Sequence, residues 1–218
     1  MAGDSSLREY ERKRDFSRTP EPSADGQRNR KRKSRGAGRP RFVIQEHDAS
    51  TLHYDFRLEI GGTLKSWVIP KGPSTDPRVK RLALPTEDHP LEYAEFEGVI
   101  PEDEYGGGTV IIWDQGEFRN IKDGSGDHPK ISLEKQLEDG QIEVWLHGEK
   151  LQGGYALIRT DGGTKERWLL IKMKDDGADA RRNPVSTQPR SVVSGRTIAE
   201  VAKQESDATR GEKRAPSS

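Results

Sequence analysis

The run His53-Tyr54-Asp55-Phe56-Arg57-Leu58 alternates polar and apolar side chains without a break. A period of two marks an extended strand, because successive side chains point to opposite faces. Tyr54, Phe56 and Leu58 then turn toward a core. His53, Asp55 and Arg57 form a row on the other face, with neighbours ~7 Å apart at ~3.4 Å rise per residue.

Similar short runs continue along the chain. From Phe42 onward the pattern predicts strands near 41–46, 53–60, 65–69, 80–85, 92–97, 108–113, 116–120, 141–146, 155–160 and 167–173, separated by turn residues. Gly61-Gly62 reads as a tight hairpin turn, as do Asp114-Gln115-Gly116 and Asp161-Gly162-Gly163. So many short strands at this spacing predict an all-β domain, a barrel or a sandwich. One internal helix is expected from Ser132, as N-cap, to Glu138.

Both ends read differently. Of the 218 residues only 30% are hydrophobic and 34% charged, so tails attached to a compact centre are expected. The zero net charge conceals a division: residues 1–41 hold 13 Lys/Arg against 6 Asp/Glu, residues 42–175 hold 16 against 25, and residues 176–218 hold 8 against 6. An acidic centre binds nucleic acid only through local basic groups, a cation or an attached arm. Residues 1–40 are predicted to be a basic disordered arm with a short charged helix at Leu7–Phe16, and residues 41–175 the folded domain. Residues 176–218 are predicted to hold a linker, a short helix from the capping box Thr197-Ile198-Ala199-Glu200 to about Gln204, and a disordered tail. The stretch 28–41 carries eight Lys/Arg, which suits salt-sensitive attachment to nucleic acid. Deleting 1–40 is expected to weaken DNA binding and to spare hydrolysis of a small ester.

The chain has no cysteine, which excludes a disulfide scaffold and a zinc–thiolate site. Its polar N-terminus is not a signal peptide, and no apolar run approaches the ~20 residues of a membrane span. A soluble, cytoplasmic protein is expected.

His47, His53 and Asp55 are candidate metal ligands; imidazole with carboxylate suits Mn²⁺, Fe²⁺ and Zn²⁺. Arg57, on the face of Asp55, offers a two-pronged phosphate clamp or an exposed ion pair. Lys71 follows a strand in Trp67-Val68-Ile69-Pro70-Lys71-Gly72, and Arg81 begins another. In Glu87-Asp88-His89-Pro90-Leu91-Glu92-Tyr93, two carboxylates, an imidazole and a phenol fall together, and His89 suits general acid–base work. His128 and His147 read as solvated turn residues. Tyr105-Gly106-Gly107-Gly108-Thr109 lacks the Lys-Ser/Thr of a phosphate loop and reads as a hairpin.

The stretches His47-Asp48-Ala49-Ser50-Thr51-Leu52-His53-Tyr54-Asp55-Phe56-Arg57-Leu58, Leu64-Lys65-Ser66-Trp67, Pro70-Lys71-Gly72-Pro73-Ser74, Glu87-Asp88-His89-Pro90-Leu91, Phe96-Glu97-Gly98 and Tyr105-Gly106-Gly107-Gly108-Thr109-Val110 resemble the 3′-phosphoesterase domain of bacterial DNA ligase D. The likeness runs from about Arg41 to Lys174 and continues weakly through 190–197. It implies a compact β-barrel with short helices and disordered terminal tails. It also implies a Mn²⁺-dependent hydrolase that removes 3′-terminal ribonucleosides and 3′-phosphates from DNA primer ends, leaving 3′-OH, in end joining at double-strand breaks. Carried across, His47, His53 and Asp55 hold the metal. Arg57, Lys71, Arg81 and His53 meet the phosphate, and His89 acts on it with Glu87 and Tyr93 nearby. Asp103 stands where the family often has Gly. Because no polymerase or ligase region follows, a stand-alone monomer working with a ligase and end-joining proteins in trans is expected, nucleoid-associated when bound to DNA.

Two other readings compete. His53-x-Asp55 with His89 also describes the facial triad of non-haem iron oxygenases. A non-catalytic DNA-end-binding module would need only the fold and the basic arm.

Overall fold

A computed structural model describes residues 6–24, 39–127, 129–160 and 164–212. Most of the basic stretch 28–41, His128, the Asp161-Gly162-Gly163 turn and the last six residues lie outside them. Among the described residues there are nine strands: β1 (Arg41–Asp48), β2 (Leu52–Ile60), β3 (Thr63–Ile69), β4 (Lys80–Pro85), β5 (Gly98–Ile100), β6 (Gly108–Asn120), β7 (Gln141–Gly148), β8 (Gln152–Thr160) and β9 (Arg167–Lys172). They pair antiparallel in the order β1-β2-β3-β4-β9-β8-β7-β6-β5, and β1 also pairs with β6. That last pairing closes eight strands into a barrel, which leaves β5 as an extra strand on β6. A closed ring removes the exposed sheet edges that would otherwise invite pairing with other chains.

The alternation in β2 appears directly in the packing. Tyr54, Phe56, Leu58 and Ile60 point into the barrel with Phe42, Ile44, Trp67, Ala83, Trp113, Phe118, Val144, Tyr155, Leu157, Trp168 and Leu170. The rings meet edge-on, Tyr54 with Trp113 at 5.3 Å and Trp67 with Trp168 at 5.7 Å between centroids, a favoured aromatic geometry. Gly61 and Gly62 both have positive φ, 63° and 84°, as a two-residue hairpin turn between right-twisted strands requires. Ser132 caps the helix Leu133–Asp139 (α2) by accepting from the Lys135 N–H, and Gly140 closes it in the left-handed region.

Local signals misled at two places. The stretch expected as a strand at 92–97 is a 3-10 helix, Leu91–Glu95, entered from Pro90. The turn expected at 114–116 does not form: β6 runs unbroken for 13 residues. Asp114 instead spends its carboxylate on another element, accepting from the backbone N–H groups of Glu149, Lys150 and Leu151 at 2.9, 3.0 and 2.8 Å. Gly116 is small because β7 passes against it, and a Cβ there would run into the His147 carbonyl.

A second apolar layer lies on the outside of the barrel wall. Val43, Leu64, Ile100, Val110 and Ile112 are covered by Tyr93, Ala94 and Phe96 of the 3-10 segment and by Tyr10. Tyr10 belongs to helix α1 (Arg8–Arg12), is fully buried, and donates its hydroxyl proton to the Pro22 carbonyl at 2.7 Å. Residues 6–24, expected as part of a disordered arm, therefore pack on the domain. The expected linker is also packed. The Thr75 hydroxyl lies 2.8 Å from both the Asp179 and Arg182 carbonyls, Trp113 Nε1 donates to the Gln188 carbonyl, and Val185 meets the core. A short helix α3 (Pro184–Thr187) precedes α4, which extends from Ile198 to Glu212, well beyond the expected end at Gln204, with Val201 buried. No helix among the described residues is long and apolar enough to cross a membrane.

Candidate metal centre and active site

The polar face of β2 is not a solvated row. Asp55 and Arg57 are buried, because the outer layer folds over the wall that carries them. Beneath it lies a cavity of about 280 Å³ lined by His47, His53, Asp55, Arg57, Glu87, His89, Tyr93 and Tyr105, together with Arg14 and Glu21 from the N-terminal segment.

Strand register brings the three candidate ligands together. His47 sits directly opposite His53 in the β1–β2 ladder, and Asp55 follows His53 on the same face. The other ring nitrogen of each histidine faces a carbonyl. His47 Nε2 lies 2.9 Å from the Gly106 carbonyl and His53 Nδ1 lies 2.8 Å from the Thr51 carbonyl. A carbonyl only accepts, so each of these nitrogens carries the proton, which leaves the lone pairs on His47 Nδ1 and His53 Nε2. Those two atoms face Asp55 at 3.6 Å from Oδ2 and 4.0 Å from Oδ1. One donor atom from each residue falls within 4.8 Å of the others. Imidazoles oriented by backbone carbonyls around a carboxylate form the donor arrangement of a divalent-cation site, and the residues present fit such an ion.

Arg57 organises the rest. Its Nε donates to Gln45 Oε1 at 2.8 Å, one terminal nitrogen to Ser66 Oγ at 2.9 Å, and the other to Asp55 Oδ2 at 3.0 Å. Gln45 in turn donates to the Tyr93 and Phe96 carbonyls, pinning the 3-10 segment to β1. Three of the five guanidinium N–H groups are thus committed, and the open fork expected from the sequence is largely occupied. Burial alone would raise the Asp55 carboxyl, but the charge of Arg57 holds it well below the usual carboxylate range.

His89 lies between two arginines. Arg57 approaches its Nδ1 at 3.1 Å and Arg14 its Nε2 at 3.4 Å, while the Glu87 carbonyl is 2.9 Å from Nδ1. The Glu87 carbonyl only accepts, so Nδ1 carries the proton and the single lone pair, on Nε2, is left for Arg14. Burial first, then the charges of Arg57 and Arg14, press its pKa well below 6.5, and it stands neutral at pH 7. Tyr93 packs edge-on against His89 at 4.7 Å and donates its hydroxyl to Glu21 at 3.0 Å. Burial and the Glu21 charge raise its pKa well above 10. Glu87 is buried, yet Lys13 at 3.1 Å and Arg14 at 3.2 Å help hold its carboxyl below the usual range.

Of the residues expected at the site, His47, His53, Asp55, Arg57, Glu87, His89 and Tyr93 share this cavity. Lys71 and Arg81 do not line it. Lys71 is exposed in the turn after β3, and Arg81 shares the parity of the core residue Ala83 on β4, so it projects away from the outer wall. Arg14, Glu21, Gln45, Ser66 and Tyr105 escaped sequence reasoning. Gln45 alone carried a signal, being a polar residue that directly follows the apolar run Phe42-Val43-Ile44 within one predicted strand. Arg14 looked like one more charge in a solvated helix, yet its side chain is 4% exposed. Its place in the cavity argues against the expectation that deleting 1–40 spares small-ester hydrolysis.

Comparison with known proteins agrees with this geometry. The profile of the DNA Ligase D 3′-phosphoesterase domain matches residues 45–159. The multifunctional non-homologous end joining protein LigD of Pseudomonas aeruginosa is 49% identical over 201 residues, which is 91% of this chain and 22% of that protein. LigD of Mycobacterium tuberculosis is 46% identical over 169 residues, 78% of this chain and 20% of its own length. LigD of Mycolicibacterium smegmatis is 40% identical over 203 residues, 91% of this chain and 24% of its own length. The chain therefore spans between a fifth and a quarter of these relatives. Closed barrel, clustered His47, His53 and Asp55, and a profile match across more than half of the sequence lead to one assignment: this chain belongs to the family of DNA ligase D 3′-phosphoesterase domains.

Proposed function

We propose that this domain is a divalent-metal-dependent phosphoesterase that removes 3′-terminal ribonucleosides and 3′-phosphates from DNA primer ends, leaving 3′-OH, in the repair of double-strand breaks. The observation that carries this reading is the convergence of two imidazole lone pairs on Asp55 beside Arg57, in a cavity that also holds His89. A cation held by His47, His53 and Asp55, with Mn²⁺ as our choice, would supply Lewis acidity to a phosphoryl oxygen. The protein's own groups do the rest. Arg57 steadies Asp55 and adds positive charge where the phosphate enters. His89, neutral between two arginines, serves as a hydrogen-bond partner or proton acceptor rather than a standing acid. Arg14 extends the positive wall from the N-terminal segment, and Glu87 and Glu21 fix that arginine in place. DNA 3′ ends are the substrate in this reading, and a ligase joining the repaired ends is the partner.

The test is an end-processing assay on a primer-template ending in one 3′-ribonucleotide, with metals varied and His47, His53, Asp55, Arg57 and His89 replaced singly. Removal of the terminal nucleoside followed by loss of the 3′-phosphate, abolished by His53→Ala, is the expected result. The donor set also suits non-haem iron chemistry, so oxygen consumption with Fe²⁺ is measured alongside. Arg57 and Arg14 at the cavity favour a phosphate over that alternative. Full biological effect with His53→Ala would instead point to a non-catalytic module.

A further inference from the structure

Tyr105 is the exposed aromatic side chain among the described residues, with 47% of its surface open. An exposed tyrosine by itself says little. Its position says more. It lines the cavity that holds His47, His53 and Asp55. The next residue, Gly106, supplies the carbonyl that receives the His47 ring proton at 2.9 Å, so a single peptide ties the ring to a metal-binding imidazole. Two cations lie against it: Lys13 Nζ is 4.6 Å from the ring centroid and 3.2 Å from the hydroxyl, and Arg14 is 5.5 Å from the centroid. A second large apolar side chain, Leu52, is 44% exposed and immediately precedes His53.

A flat π-face beside clustered cations, at the rim of a cation-binding cavity, matches one kind of ligand: a nucleotide whose base stacks while its phosphate meets positive charge. Stacking tolerates any base, since every base has a π-face. We infer that Tyr105 is the platform for the 3′-terminal nucleobase, a positioning residue that seats the chain end without reading its sequence. This inference rests on the phosphoesterase reading above. The competing role is purely local, with the hydroxyl anchoring Lys13 to Glu87.

The experiment uses the full chain with Tyr105→Ala and Tyr105→Phe, each checked for an unchanged unfolding temperature. The probe is a DNA oligonucleotide ending in 2-aminopurine, whose fluorescence falls on stacking, titrated in EDTA so that no turnover occurs. Wild type and Tyr105→Phe should quench it. Tyr105→Ala should bind about 5- to 150-fold more weakly, the range measured for losing one stacked base, and should not quench. With Mn²⁺, Tyr105→Ala should lose kcat/KM on a 3′-phosphorylated oligonucleotide mainly through KM. An abasic terminal residue should erase most of the difference from wild type. The inference is overturned if Tyr105→Phe behaves like Tyr105→Ala, or if the loss is equal on abasic and base-bearing ends. Quenching that follows the ring in a protein inactive with every metal would uphold the platform and sink the phosphoesterase reading. Active protein that never quenches the probe would do the reverse.

Discussion

Replacing Arg14 with Ala should damage both stability and site, although Arg14 lies 33 residues upstream of the first candidate ligand, His47. Its guanidinium, 4% exposed, bonds Glu21 Oε1 at 2.9 Å and Glu87 Oε1 at 3.2 Å, and stacks on Tyr10 at 3.8 Å. Breaking a buried pair by removing one partner costs ~3–5 kcal/mol, because the other charge stays buried and uncompensated. Here the lower end applies. Glu87 keeps Lys13, and Glu21 keeps the hydroxyls of Thr19 and Tyr93. About 3 kcal/mol corresponds to a drop in Tm of roughly 6–12 °C for a chain of this size. Thermal unfolding followed by circular dichroism measures it. Adding Glu21→Gln to Arg14→Ala should recover part of the loss, since the penalty lies in the orphaned charge. The pH dependence has a definite sign. In the parent protein the Glu87 carboxyl is depressed, so its contribution is present above the ordinary carboxylate pKa near 4.5 and is lost as pH falls through the folded value. The deficit of Arg14→Ala should therefore shrink below about pH 4.5. An Arg14→Ala protein melting within 1 °C of the parent, at unchanged activity, would refute the packing of residues 6–24 over the site.

Three further expectations follow from the same geometry. His89 has a folded pKa well below 6.5, so the unfolded chain takes up a proton that the native state refuses; stability should fall by up to ~1.4 kcal/mol per pH unit below pH 6.5, and His89→Gln should flatten that slope in denaturant titrations. Mn²⁺ at a hundred times its dissociation constant should raise stability by about 2.7 kcal/mol, and His47→Ala or His53→Ala should abolish the shift in a calorimetric scan. Asp114→Ala strands three backbone donors at 149–151, those of Lys150 and Leu151 buried, and should cost ~3 kcal/mol in urea unfolding while leaving metal-induced stabilisation intact; loss of metal response would mean the two regions are coupled.

The legible parts of this protein are local in sequence. Alternation at His53–Leu58 marks a strand because it depends only on neighbouring side chains, and Gly61-Gly62 marks a turn because positive φ at both positions is a property of those residues. His47, His53 and Asp55 could be grouped for the same reason: five residues and one tight connection separate the histidines, and antiparallel pairing across that connection sets them side by side. Asp114-Gln115-Gly116 was misread because the partners of Asp114 are 35 to 37 residues away. Leu91–Glu95 was misread because the 3-10 turn is held from outside, by Gln45 reaching from β1 to its carbonyls.

By itself, then, the chain's order of residues determined most of the strands, the Gly61-Gly62 turn and the grouping of the candidate ligands His47, His53 and Asp55, each resting on periodicity or on contacts across a single hairpin. Barrel closure through the β1–β6 pairing, the burial of the polar face of β2 and the arrival of Arg14 and Glu21 from the N-terminal segment were decided only in three dimensions. Those features join residues up to 76 positions apart. Their pairing is selected by the burial of two apolar layers and by the need of each enclosed charge for a partner, and neither requirement leaves a periodic trace in the sequence.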